Sequence, residues 1–142
     1  MAQHRQSTVD ASGTPDRPGP LTRTILEYVQ TIERLVPTVQ TPADWGPLAE
    51  FVAVDDFERV GTFLEVQDWR GYTEMLTQWA SSTSRFETTL LRVRELQDVV
   101  YFEIEERHFR RETVHVVNSL TVFSFNEASR ICHLDVYLQQ PR

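Results

Sequence analysis

Four segments rich in β-branched and aromatic residues follow one another through the last sixty residues of this 142-residue chain, at 86–97, 99–109, 113–125 and 130–139. Only short polar breaks separate them: Asp98, then Arg110-Arg111-Glu112, then Asn126-Glu127-Ala128-Ser129. Breaks of this length suit antiparallel hairpins, so these residues are expected to form a strand meander.

The preceding residues follow a different period. Leu21, Ile25, Tyr28, Val29, Ile32, Leu35 and Val36 recur at three- and four-residue steps, which predicts an amphipathic helix between Pro20 and Pro37. Thr41 and Pro42 open a short second helix that runs to about Glu50 and presents Trp45, Leu48 and Ala49. Residues 51–60 read as a strand interrupted by Asp55-Asp56, and residues 63–66 as a second short strand beyond Gly61. Asp68 is placed to cap a third helix carrying Trp69, Tyr72, Leu76, Trp79 and Ala80 on one side. Helices first and a meander last predict an α+β fold, with three N-terminal helices packed on one face of a strongly curved, mostly antiparallel sheet. Residues 1–20, rich in Ser, Thr, Asp, Gly and Pro, are expected to be a disordered tail, and 21–142 a single domain.

Charge and composition exclude several classes of function. The formal charge is −7, and the only clusters of basic residues (Arg92/Arg94 and Arg107/Arg110/Arg111) are interleaved with acids. This argues against a nucleic-acid partner. All 14 Lys+Arg residues are Arg, which leaves no amine for Schiff-base chemistry. Cys132 is the only cysteine, so an internal disulfide is impossible, and a cytoplasmic chain with a structural thiol is expected. No apolar run is long enough to span a membrane. No phosphate loop, dinucleotide fingerprint or Ser-His-Asp order is present, so no organic cofactor is expected. His115 and His133 fall too far apart along the expected ladder to share a metal ion.

Two stretches resemble a known family. Residues 125–138, Phe-Asn-Glu-Ala-Ser-Arg-Ile-Cys-His-Leu-Asp-Val-Tyr-Leu, look like the final hairpin and last strand of the nuclear transport factor 2-like superfamily, in its SnoaL-like and ketosteroid isomerase-like branches. Tyr28-Val29 in the first helix and Val54-Asp55-Asp56-Phe57 after the second are similar to the isomerase's tyrosine and its valine-acid-aspartate-proline segment. The resemblance implies a cone-shaped barrel around a hydrophobic pocket, with dimers formed through the outer sheet face. It also implies a cofactor-free isomerase, dehydratase, cyclase or hydrolase acting on a small apolar substrate. The alternative is a non-catalytic ligand-binding or dimerisation module, because one fold hosts many functions.

The resemblance puts Asp56 at a general-base position and Tyr28 at an oxyanion donor. The isomerase's second donor, a protonated aspartate, falls on Thr121, which can donate only through its hydroxyl. Strand parity alone leaves open which of Asp55 and Asp56 faces inward. If Phe125 and Arg130 flank the last turn, Thr121 pairs with Leu134, Ser119 with Val136 and Val117 with Leu138. His115, Val117, Ser119, Thr121, Cys132, Leu134, Val136 and Leu138 then share the pocket face. Asn118, His133, Asp135 and Tyr137 lie on the opposite face, which suits a dimer contact. A one-residue slip would instead bury Asp135 as a catalytic acid. His115, with Tyr28, could serve a dehydratase as base, and Trp79 could belong to the core or to a pocket wall. Glu103-Ile104-Glu105-Glu106 reads as an acidic, solvated sheet edge.

Overall fold

The computed structural model describes residues 17–141. The expected tail therefore lies mostly outside the described residues. Helix α1 (Pro20–Leu35) is followed by a 3-10 turn (Pro42–Trp45) running into the short α2 (Gly46–Ala49), then by strands β1 (Glu58–Val60) and β2 (Val66–Gln67). Helix α3 (Trp69–Ser81) leads into β3 (Arg85–Leu96), β4 (Val99–Arg110), β5 (Thr113–Phe125) and β6 (Ile131–Gln139). The strands form one six-stranded sheet in the order β2-β1-β6-β5-β4-β3. All neighbours are antiparallel except β1 and β6. The edge strands β2 and β3 do not pair, so the curved sheet is an open cone, not a closed barrel.

Local chemistry explains where the elements begin. Gly19 offers α1 no capping side chain. Instead the Glu95 carboxylate at the far end of β3 accepts the Thr22 N–H at 2.9 Å, the Thr22 hydroxyl at 2.7 Å and the Leu21 N–H at 3.4 Å. A negative charge is thus held where the helix dipole is positive. Asp68 caps α3 as expected, accepting the Gly71 N–H at 2.9 Å. The hairpin turns pass through left-handed residues, Gln97, Arg111 and Ser129.

The helices bury their apolar sides against the inner sheet face. Ile25, Tyr28, Trp45, Leu48, Tyr72, Val100, Phe102, Phe123, Ile131 and Leu134 belong to one continuous core. Trp45 is completely buried, and its indole N–H donates to Thr77 Oγ1 at 3.0 Å, so burial leaves no orphaned donor.

Three expectations need correcting. Asp55-Asp56 does not interrupt a strand: Val54–Asp56 is a 3-10 turn with both acids exposed, and the strand begins only at Glu58. Keeping the chain extended would have driven one carboxylate inward without a partner, whereas the turn leaves both in water. Phe63 and Leu64 form the exposed β1–β2 turn, and β2 starts at Val66. Strand β4 is no edge: it lies between β3 and β5, and its outward Glu103 and Glu105 pair with Arg92 and Arg107.

The last hairpin pairs Thr121 with Val136, Ser119 with Leu138 and Phe123 with Leu134. Relative to the expected register, the turn holds one more residue and a β-bulge at Cys132 adds a second. The two shifts sum to an even number, so the expected faces survive, apart from Cys132 itself. Ile131 takes the inward place. Half-buried Cys132 directs its thiol to the Ser124 carbonyl at 3.5 Å, and burial pushes its pKa up.

Candidate functional site

The inner faces of β4, β5 and β6, together with α1 and α3, enclose a cavity of about 350 Å³. Val29, Ile32, Leu76, Phe102, Phe123 and Leu134 supply much of its apolar wall. Where β4 ends, β5 begins and β6 ends, its lining includes the exposed Arg110 and Gln140 and the half-buried His115. Three sets of polar side chains meet this wall.

The first set begins on β4. Alternation places Val100, Phe102, Ile104, Glu106 and His108 on one face. His108 Nε2 lies 2.9 Å from Glu106 Oε1, and the Trp79 indole N–H on α3 donates to His108 Nδ1 at 2.9 Å. An indole nitrogen can only donate. Nδ1 must therefore accept, Nε2 carries the proton, and His108 donates to Glu106. The Ser119 hydroxyl donates to the other oxygen, Glu106 Oε2, at 2.6 Å. Two donors from two strands thus fix the carboxylate, which retains lone pairs for a further partner. Side-chain exposure is only 12% for His108 and 19% for Glu106. The His115 ring lies 6.0 Å from that of His108, its cross-strand partner.

The second set joins α1 to α3. Tyr28 and Tyr72 are buried, with hydroxyl oxygens 2.6 Å apart. Burial raises the pKa of both phenols; proximity to Tyr72 raises that of Tyr28 further. Both therefore stay protonated well into the alkaline range. One O–H proton is consumed by the mutual bond and the other is left to donate. Tyr72 is braced by Phe57, stacked at 5.3 Å.

The third is Arg59 on β1. It pairs with inward-facing Leu134 across the parallel ladder and therefore shares that face. Its guanidinium lies 5.7 Å from the Tyr72 ring centroid.

Of the residues singled out in the sequence, Tyr28, Trp79, His115, Val117, Thr121, Leu134 and Val136 line this cavity. Ser119 is buried behind it and reaches it through Glu106. Asp55 and Asp56 do not line it; both are exposed. Asp135 is on the outer face, opposite Val122, with its carboxylate 3.0 Å from His133 Nε2. The one-residue slip that would have buried it does not occur. Glu106, His108 and Arg59 were not anticipated, although the period-2 pattern running from Val100 to His108 contained the signal for the first two. Among the described residues, no group of His, Cys, Asp and Glu side chains is arranged to hold a metal ion, and no helix is long and apolar enough to cross a membrane.

The fold is that of the nuclear transport factor 2-like proteins, with a SnoaL-like and ketosteroid isomerase-like arrangement of three helices on a curved mixed sheet. An NTF2-like protein from Anabaena variabilis superposes with a TM-score of 0.67 at 15% identity, covering 84% of this chain and 89% of that one. An LEH-like epoxide hydrolase from M. tuberculosis gives a TM-score of 0.62 at 15% identity, over 84% of this chain and 86% of its own. A protein of ketosteroid isomerase-like fold from Catenulispora acidiphila, in complex with trimethylamine, gives 0.59 at 15% identity, over 78% and 84%. No protein-family model and no curated protein matches the sequence.

Proposed function

We propose that this chain binds a small, largely apolar organic molecule in its cavity and acts on it by cofactor-free acid–base catalysis, as an isomerase, dehydratase, cyclase or hydrolase. One observation carries this reading. The Glu106 carboxylate, held by His108 and Ser119, shares an apolar cavity with a pair of protonated tyrosines. Glu106 replaces Asp56 as the base, since Asp56 is exposed and does not line the cavity.

In such a cavity Glu106 accepts a proton from carbon beside a carbonyl, or from a water attacking an epoxide. The free tyrosine O–H donates to the oxygen on which negative charge develops. Low solvent access strengthens both interactions. Likeness to an LEH-like epoxide hydrolase is consistent with this chemistry, at the level of fold.

Turnover of styrene oxide and of a β,γ-unsaturated cyclohexenone tests the proposal. Glu106→Gln is expected to lower the rate on whichever probe is accepted by roughly 10²–10⁴-fold, the usual contribution of a positioned acid or base. Unchanged turnover in that variant would remove Glu106 from the mechanism.

A cytoplasmic homodimer belongs to the same reading. The location rests on the lone Cys132. The dimer rests on the outer sheet face, where Tyr101, Val114, Val116 and Tyr137 are exposed. Sedimentation of the protein and of Val116→Glu tests the dimer; a monomer in both overturns it.

A further inference from the structure

Arg59 has no assigned role in the chemistry above, yet it is the most enclosed cation on the cavity wall. Its side chain is 12% exposed. Among the described residues only its Nη1 is engaged, donating to Gln67 Oε1 at 2.9 Å and lying 3.7 Å from Glu65 Oε2. Among the described residues Nε and Nη2 make no hydrogen bond, and no buried side-chain nitrogen or oxygen lacks a partner. The free donors are therefore the ones that meet open space, and Arg59 lines the cavity beside Tyr72.

We infer that the cavity selects an amphipathic organic acid, whose carboxylate docks on the Arg59 fork and whose apolar body fills the space between α1, α3 and the sheet. The inference deepens the proposed function and rests on its reading of the cavity as a ligand site. A guanidinium matches a carboxylate in shape and can engage both its oxygens, and the adjacent tyrosine O–H supplies a further donor. A monoanion fits the local balance. At the β1 end Arg59 is the one guanidinium of the wall, Arg110 standing at the end of β4; Arg59 is already shared with Glu65 and opposed by the Glu106 carboxylate, so a doubly charged phosphate docked there would be left undercompensated. The wall elsewhere is apolar enough for an aliphatic or aromatic body. The acid then lies anchored at the β1 end of the cavity, with its body extending toward Glu106 and His108.

Calorimetric titration with naphthoate and with uncharged naphthamide, which share the same apolar body, tests the inference. The wild-type protein is expected to bind naphthoate roughly ten- to a hundredfold more tightly, the usual worth of charge-assisted hydrogen bonds. Arg59→Met is expected to abolish that preference while retaining naphthamide binding. Equal affinities in the wild type, or a preference that survives Arg59→Met, overturn the inference. Glu65→Gln provides a second arm that leaves the cavity wall intact. Freed from this competitor, Arg59 should bind naphthoate several-fold more tightly with naphthamide unchanged; unchanged naphthoate affinity overturns the inference. The catalytic reading fails separately: acid preference in a protein whose turnover ignores Glu106→Gln keeps the ligand class and discards Glu106 as base.

Discussion

The hydroxyl oxygens of Tyr28 and Tyr72 lie 2.6 Å apart, tying the first and third helices together at the cavity wall. Both phenols have pKa values raised by burial above the 10.0 of a free tyrosine. Above pH 10 the unfolded chain loses these protons while the folded chain keeps them. Their contribution to stability is therefore complete below pH 10 and declines as the pH rises through the folded values. Urea denaturation between pH 8 and 11.5 should show this alkaline loss, and Tyr28→Phe should reduce it. The absorbance difference between wild type and Tyr28→Phe should assign to Tyr28 an ionisation later than that of a free phenol.

Trp79 fixes the tautomer of His108 by donating to Nδ1. In Trp79→Phe that donor is gone, and Nδ1 becomes free to carry a proton. Long-range ¹⁵N–¹H spectra should find a single Nε2–H tautomer in the wild type and added Nδ1–H signal in the variant. Because the change acts through His108, it should also alter the pH profile of turnover.

Ser119 has a buried hydroxyl whose proton goes to Glu106. Ser119→Ala should cost about 1–3 kcal/mol in urea denaturation, because a largely buried carboxylate oxygen loses its donor. Turnover should fall as well, since only His108 would then orient the carboxylate.

Glu95 caps a helix from a distant strand. Glu95→Ala should lower stability by about 1–2 kcal/mol, in the range of a lost N-cap. Hydrogen exchange at the Leu21 and Thr22 amides should quicken first.

Asp56→Asn should leave turnover and the melting temperature unchanged, because its carboxylate is exposed and does not line the cavity. A substantial loss of turnover would restore the resemblance-based assignment at the expense of Glu106.

The architecture was legible because its signals are periodic. The three- and four-residue spacing of Ile25, Tyr28, Val29 and Ile32 and the strand alternation around Val117, Ser119 and Thr121 depend on burial, which sequence records directly. Asp55-Asp56 failed because a short motif carried over from a resemblance says nothing of local backbone. Here a 3-10 turn, set by the preference of two acids for water, redirected both. Glu106 was passed over because neighbouring acids suggested a solvated edge. Its own alternation with Phe102 and Ile104 placed it inside, but that became decisive only with β5 known to cover the strand. Arg59 lies in a three-residue strand, too short for periodicity to orient.

The extra residue at Cys132 has a consequence for the chemistry of the whole cavity. Were the ladder to absorb it as an ordinary rung after Ile131, Leu134, Val136 and Leu138 would rotate to solvent and Asp135 would swing inward. Excising Cys132 would instead keep every later side chain on its present face and merely straighten the ribbon. One unpaired position thus sets the phase of the strand, and leaves the interior with the carboxylate of Glu106 in place of that of Asp135.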